Sequence, residues 1–527
     1  MTPVQTSLFP PRGVTEFLDD IKFLSEEIQE FYLLDQIPWV IGYSGGKDST
    51  ALLQLVWYAI ADLPIEKRIK HIDVITTDTR VENPIVSAWV RKSLAQIELA
   101  AKEQNMPISA NLLQPPPETT YWSALIGKGY PAPRQKFRWC TGRLKIDPSN
   151  NFIRDVVRKN GETVLLLGTR KTESANRAAI MKKREETRFQ ERLCPNPSLP
   201  NSKLYTPIEA WRTDEVWLYL MQWENPWGHS NKDLFEMYRG STADNECPLV
   251  VDTSTPSCGN SRFGCWVCTL VDSDKSLSAM IKNDHEKEWL QPLIDFRLEL
   301  DIRNDRDKRD FRRLHGRVEL FERNVNGEIS VEPIPGPYTK YWREHWLRRV
   351  LQAQETIRNT APDDMKDITL ITTEELSEIR RIWVEEKYEF DDSVPRIYKE
   401  VTGKTFVDPR PGADEHSILG PDEWATLADI CGEDAMHLEL MSKLLGTERK
   451  YYTKARRSGI LGDLEKCFET SSRSKEEAIQ HAHYKWDIKQ AIEAEDMTKL
   501  KDTLARAEAI PPRNNWADVK FGSSEKN

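Results

Sequence analysis

The stretch Trp39 to Ile60, WVIGYSGGKDSTALLQLVWYAI, constrains the fold of this chain more than any other. Trp39-Val40-Ile41-Gly42-Tyr43 is short, apolar and partly β-branched, which suits a buried parallel strand. Ser44-Gly45-Gly46-Lys47-Asp48-Ser49 breaks it abruptly. Leu52, Leu53, Val56 and Ile60 then recur at the spacing of a helix face packed on a sheet, with Asp48 or Ser49 placed to cap the first turn. Strand, glycine turn and helix together suit a phosphate. The glycines let backbone N–H groups approach an anion, and the helix N-terminus adds partial positive charge. The plainer reading is a glycine turn that only joins strand to helix.

Further strands are expected at Ile72 to Thr77, Ile108 to Leu113 and Thr163 to Leu167, with helices over Gly13 to Leu34 and Pro84 to Gln104. This alternation predicts an α/β fold with a doubly wound parallel sheet. Ligands of such sheets bind beyond the carboxyl ends of the strands, where Ser44, Asp78 and Gly168 fall. From about Arg297 the character changes. Charged stretches such as Asp301 to Arg317 read as helical, a hairpin is expected around Asn324 to Glu332 with Asn326-Gly327 at its turn, and helical segments continue to about Arg506. The expected division is a nucleotide domain over 1–296, a mostly helical C-terminal domain over 297–510 and a loose tail over 511–527.

A net charge of −10 and a pI near 5.6 exclude a polycation held on nucleic acid by its overall field. A DNA-binding surface would have to be a local patch. Lys182-Lys183-Arg184, Arg303 to Arg317, and Trp342-Arg343 with Trp346 and Arg348-Arg349 are the candidates. Asp305, Asp307 and Asp310 favour a salt-bridged solvated face for the second. No apolar run is long enough to span a bilayer, and MTPVQTSLFPPRG lacks the pattern of a signal peptide, so a cytoplasmic protein with no membrane partner is expected.

Among the eight cysteines, Cys258, Cys265 and Cys268 share the loop SCGNSRFGCWVCT, and Cys140 lies in FRWCTGRLKIDP. A C-x-x-C pair with a third cysteine shortly before it presents three thiolates to one centre, and a fourth must come from elsewhere. From spacing alone, a closed zinc site, an iron–sulfur centre and inert core cysteines all stay open. Cys194 and Cys247 are weaker candidates, and Cys431 and Cys467 read as helical core. In Gly168 to Arg177, GTRKTESANR, a strand ends at a glycine, and the spacing of Arg170 and Arg177 suits one face of a helix. Such guanidinium forks fit pyrophosphate, with Glu173 placed to orient one of them; ordinary surface charge is the alternative. Asp78 is a candidate for ribose or adenine contact, or for Mg²⁺ through water, or is simply a turn cap. Pro207-Ile208, Trp211, Val216, Trp217 and Leu220 read as packing.

The loop Ser44 to Ser49 is not a Walker A motif, because Ser49-Thr50 follow Asp48 and not the lysine. It resembles the S-G-G-x-D-S loop of the PP-loop ATP pyrophosphatases, whose fold is adenine nucleotide alpha hydrolase-like and which release pyrophosphate from ATP. With Asp78-Thr79, GTRKTESANR and PIEAWRTDEVWLYL it resembles the PAPS/APS reductase branch of that superfamily. More closely, SGGKDSTALLQL, TTDTRVENP, RWCTGRLKIDP, GTRKTESANRA and CGNSRFGCWVCT, in this order over Val40 to Thr269, resemble the DndC family. These are the ATP pyrophosphatase and sulfurtransferase components of bacterial DNA phosphorothioation (Dnd) systems.

The resemblance implies a 4Fe–4S cluster on Cys140, Cys258, Cys265 and Cys268. It implies ATP with Mg²⁺ on Ser44, Gly45, Gly46, Lys47, Asp48 and Ser49, flanked by Asp78, Thr79, Gly168, Arg170 and Arg177, with Lys47, Asp48 and Arg170 in the catalytic set. The implied partners are DNA, a cysteine desulfurase as sulfur donor and the other Dnd proteins. The implied reaction adenylates a backbone phosphate so that sulfur replaces a non-bridging oxygen. A sulfonucleotide reductase is the nearest alternative, but its C-terminal E-C-G-hydrophobic-H motif is missing, no cysteine follows Cys467, and Cys140 is followed by Thr141 in place of a second cysteine. tRNA thiolation on the same loop and a non-catalytic ATP-binding assembly subunit complete the alternatives.

Overall fold

The computed structural model describes residues 13–508 apart from 174, 189–191, 242–262, 326–327, 412–418, 433, 453, 455 and 472. Six strands form one sheet: Trp39–Gly42 (β1), Ile72–Thr77 (β2), Ile108–Leu113 (β3), Thr163–Leu167 (β4), Leu193–Pro195 (β5) and Ser202–Tyr205 (β6), in the order β3-β2-β1-β4-β6-β5. All neighbours are parallel except the edge pair β5 and β6. β1 is central, with Trp39 opposite Ile72 on one side and Val164 on the other. Winding runs outward from β1 through β2 to β3 and then restarts at β4 on the opposite side. The loops after β1 and β4 therefore flank the switch point where ligands of such sheets bind.

The two faces of the sheet follow the period of two in the strands. Trp39, Ile41, Ile72 and Val74 point into the main core, beneath helices Val14–Leu34 (α1), Lys47–Ala61 (α2) and Pro84–Glu103 (α3). Val40 and Ile75 point the other way and pack with Ile153 and Val156 of the helix Asp147–Asn160. Ile208, Trp211, Val216, Trp217 and Leu220 are buried in the main core, as expected of packing residues. β5 and β6 were not expected from the sequence. At three and four residues, containing Cys194-Pro195 and Ser202-Lys203, they carry too little apolar alternation to be seen.

The described residues form two compact units. One comprises residues up to Tyr121, Pro133–Asp301 and Thr356–Ile368; the other comprises Trp122–Ala132, Ile302–Glu355 and the residues from Thr369 onward. The second is mostly helical and contains one hairpin, Leu320–Val325 paired antiparallel with Glu328–Pro333. Val325 opposes Glu328, and the expected turn Asn326-Gly327 lies outside the described residues. Within this unit Trp122 Nε1 donates to Leu370 O at 2.6 Å and Trp383 Nε1 to Ile126 O at 3.0 Å.

The expected helix over Asp301 to Arg317 is not formed; only Arg306–Lys308 makes a 3₁₀ turn. Side chains here take the backbone groups that a helix would use. Asp310 Oδ1 accepts from Arg312 N at 2.8 Å, and Arg309 donates to the carbonyls of Gly336 and Pro335, both at 2.7 Å. Residues around Trp342 are engaged within the same unit. Trp346 is fully buried, Arg343 pairs with Glu389, and the Lys308 ammonium lies 4.4 Å from the centre of the Trp342 ring. Lys182 and Lys183 are exposed on the helix Ala175–Glu185. No helix among the described residues is long and apolar enough to cross a membrane.

Candidate functional site

The loop after β1 is braced from within. Gly45 adopts φ +71°, and a Cβ there would come within 2.5 Å of Val90 Cγ2, so both conformation and space demand glycine. Ser49 Oγ donates to Gly46 O at 2.9 Å and accepts from Ser44 N at 3.1 Å, with Ser44 Oγ also 3.1 Å away. Gly46 is the N-cap of α2, and no side chain caps it. The first bond of α2 runs from Thr50 N to Gly46 O at 3.0 Å. Among the described residues the amides of Gly46, Asp48 and Ser49 meet no acceptor, so the first turn presents N–H groups and a positive helix end together. Trp89 Nε1, from α3, holds the Gly45 carbonyl at 3.2 Å.

Lys47, Asp48 and Arg170 lie in contact, in an arrangement the sequence did not disclose. Lys47 is buried, with Nζ 3.2 Å from Asp48 Oδ2, and Asp48 Oδ1 accepts from Arg170 Nε at 2.6 Å. Arg170 is 1% exposed, and its remaining donors go to Thr172 Oγ1, Trp211 O and Thr213 Oγ1 at 3.0, 3.1 and 3.3 Å. Its guanidinium fixes Asp48 against the loop and has little left with which to grip a phosphate. Gly168, at the end of β4, sits so close that an added Cβ would lie 2.6 Å from Asp48 O. That glycine is required by backbone contact with α2.

Arg170 and Arg177 do not share a helix face. Lys171–Glu173 is a 3₁₀ turn and the helix proper is Ala175–Glu185, so Arg170 precedes it and turns inward. Arg177, in the first turn, pairs with Glu173 as the carboxylate reading anticipated. Asp78 is 5% exposed, and its carboxylate accepts from Arg80 N, Arg91 Nη2 and Gln114 Nε2 at 2.8, 2.9 and 3.0 Å. It caps the turn after β2 and so follows the capping alternative.

The loop of Cys265 and Cys268 is bonded to that same turn. Glu82 and Cys265 form an antiparallel bridge, and Trp266 N donates to Val81 O at 3.0 Å. Thr79 Oγ1 lies 3.5 Å from Cys265 Sγ, and Cys268 N donates to Cys265 O at 3.0 Å. Burial pushes the Cys265 thiol up to about 11, with Lys145 and Thr79 opposing and Glu82 and Cys268 reinforcing the rise. Burial likewise raises Cys140, with the charge of Cys268 adding to it. Lys145 is raised first by Cys265, and it also pairs with Glu82 at 3.7 Å. Cys140 and Cys265 thus both act on Lys145, Cys268 acts on both of those cysteines, and all three are free thiols.

Cys258 lies outside the described residues, as does Cys247. Among the described residues no three His, Cys, Asp or Glu side chains converge into a closed metal site. The donor chemistry, free thiols at Cys140, Cys265 and Cys268 with Cys258 seven residues before Cys265 in the sequence, fits a thiolate-held cluster. Cys194, Cys431 and Cys467 are buried elsewhere.

Sequence reading missed Tyr238, Lys145 and Glu82. Lys145 follows Cys140 in RWCTGRLKIDP and was within reach of a search for charge beside the thiols. Tyr238 is 191 residues from Lys47 and left no local signal.

A model of the phosphoadenosine phosphosulfate reductase domain matches residues 38–270. An uncharacterized protein of Methanocaldococcus jannaschii is 25% identical over 252 residues, which are 48% of this chain and 40% of that protein. The chain thus spans about two fifths of the length of that curated relative. Among solved structures, the FMN adenylyltransferase of Candida glabrata aligns at 14% identity and a TM-score of 0.27, over 46% of this chain and 64% of that one. The U34-tRNA thiolase NcsA of Methanococcus maripaludis, solved with its 4Fe–4S cluster, aligns at 14% identity and a TM-score of 0.27, over 55% of this chain and 80% of that one. Over residues 38–270 this chain is thus similar to the phosphoadenosine phosphosulfate reductase domain, and its fold is a mostly parallel, PP-loop-like sheet.

Proposed function

We propose that this chain is an ATP pyrophosphatase and sulfurtransferase that activates a DNA backbone phosphate by adenylation, so that sulfur supplied by a cysteine desulfurase replaces a non-bridging oxygen. The observation that carries the reading is the juxtaposition of an anion cradle after β1 with grouped free thiols at the turn after β2. A phosphate cradle alone would serve any ATPase. The thiols are what sulfur chemistry adds.

The substrate is ATP with its Mg²⁺. The amides of Gly46, Asp48 and Ser49 and the Lys47 ammonium receive the β- and γ-phosphates and the charge that grows on departing pyrophosphate. Asp48, held by Arg170, keeps Lys47 in place. A non-bridging oxygen of the DNA phosphodiester attacks the α-phosphorus; the α–β bridging P–O bond breaks, and pyrophosphate leaves. An external thiol reduces the desulfurase persulfide, forming a disulfide and releasing hydrosulfide, which then attacks the adenylated DNA phosphorus and expels AMP with the original oxygen. Cys140, Cys258, Cys265 and Cys268 would hold a 4Fe–4S cluster, which when bound supplies either a sulfur relay or a structural clamp.

The deciding experiment pairs two measurements. Purified wild type should convert ATP to AMP and pyrophosphate, and Lys47→Ala should lose that conversion. DNA from cells lacking the protein should contain no phosphorothioate dinucleotides after nuclease digestion and mass spectrometry. Retained conversion in Lys47→Ala removes the loop from catalysis, and persisting phosphorothioate disposes of the DNA substrate. The matched domain also favours sulfonucleotide reduction as a second reading. Sulfite release from a sulfonucleotide with a thiol reductant would decide for it.

A further inference from the structure

The hydroxyl of Tyr238 lies inside the phosphate cradle. Tyr238 belongs to the helix Asn231–Gly240, far from the loop in sequence, and is 6% exposed. Lys47 N donates to Tyr238 Oη at 3.4 Å, and a Cβ added to Gly46 would lie 3.0 Å from the same oxygen. The phenol therefore stands against the first turn of α2, next to the turn whose Gly46, Asp48 and Ser49 amides are open among the described residues. It accepts from a cradle amide as a phosphate oxygen would. Its own O–H has no acceptor among the described residues, although the group is buried. A buried hydroxyl donor left without an acceptor costs free energy unless something arrives to take it.

The ring is packed between aromatic neighbours. It packs edge-on against Trp217 at 5.2 Å and Phe263 at 4.9 Å, and the Lys47 ammonium lies 5.2 Å from its centre. Burial and the Asp48 carboxylate both keep the phenol protonated, so it remains a donor across the working pH range.

We propose that Tyr238 is a pyrophosphate-positioning residue: its hydroxyl holds the Lys47 amide in the place of a phosphate oxygen, and on ATP binding it yields that amide and donates to the β,γ-phosphates. This rests on the nucleotide reading of the loop given above. A hydrogen bond to a charged acceptor removed without disturbing packing lowers affinity roughly ten- to a hundredfold.

Tyr238→Phe keeps the ring and deletes only the hydroxyl. The probes are inorganic pyrophosphate, AMP and α,β-methylene ATP, titrated calorimetrically against wild type and variant. Expected is a loss of roughly tenfold or more for pyrophosphate and the ATP analogue, with AMP unchanged and the melting temperature kept within a few degrees. KM for ATP should rise more than kcat falls. Wild type that binds both phosphate probes while Tyr238→Phe matches it within twofold overturns the inference alone. Wild type that binds none of the probes overturns the nucleotide reading and the inference with it. A second measurement keeps the native hydroxyl: protein carrying 3-fluorotyrosine at position 238 should show a ¹⁹F shift on adding pyrophosphate and none on adding AMP. An unmoved resonance in protein that binds pyrophosphate also overturns the proposal.

Discussion

Replacing Gly168 by alanine tests whether the end of β4 sets the geometry of the cradle. The new Cβ would lie 2.6 Å from Asp48 O, 2.9 Å from Asp48 C and 3.2 Å from Ser49 N, all backbone atoms that cannot swing aside. Restoring an ordinary contact of 3.4 Å requires the first turn of α2 to retreat by about 0.8 Å. That turn carries the amides of Asp48 and Ser49, and its retreat also stretches the 2.6 Å bond between Asp48 and Arg170. Overpacking of this kind costs about 1–3 kcal/mol, a fall of several degrees in Tm. Misplacing positioning groups by nearly an ångström costs about a hundredfold in turnover. Pyrophosphate release under saturating ATP, with Tm read alongside, measures both. A Gly168→Ala enzyme within threefold of wild-type kcat/KM would refute the claim that this contact sets the cradle.

Three further outcomes follow from the same geometry. Arg170→Lys loses the multiple donors that tie Asp48 to Thr172, Trp211 and Thr213, and should lower ATP turnover at least tenfold while circular dichroism stays native. Cys140→Ser and Cys268→Ser should each reduce iron and labile sulfide in anaerobically purified protein; wild type carrying zinc without iron would sink the cluster. His229 is 4% exposed and burial depresses it to about 4, so the unfolded chain takes up a proton below about pH 6.5 that the folded chain refuses. Stability should therefore fall as pH drops from about 6.5 toward 4, by up to about 3 kcal/mol from this group, and acid titration of His229→Phe in urea should show a flatter slope.

The parts of this molecule that repeat a simple period were legible in the chain. β1 to β4 and the helices around them announce themselves because each strand is apolar and bounded by turn residues, and each helix buries one face. The loop Ser44 to Ser49 was legible for a different reason: Gly45 and Gly46 have few uses other than letting backbone approach something closely. What stayed hidden depends on partners distant in sequence. Arg170 looked like a phosphate fork because nothing nearby shows that Trp211 O and Thr213 would claim its donors. Asp301 to Arg317 looked helical because its charges alternate, yet Asp310 and the carbonyls of Pro335 and Gly336 hold it in turns. Trp342 and Trp346 looked like a stacking surface because tryptophan beside arginine reads alike in a groove and in a core.

The bridge between Glu82 and Cys265 gives the molecule a fixed ruler. Main-chain bonding pins the cysteine loop to the turn after β2, while the cradle grows directly from β1, its immediate neighbour. Adjacent strands lie about 4.8 Å apart. The strands that lead into the phosphate loop and into the turn bonded to the thiol loop are thus spaced by the pitch of the sheet itself. Hydrogen-bonded backbone thus links both loops to one pair of neighbouring strands.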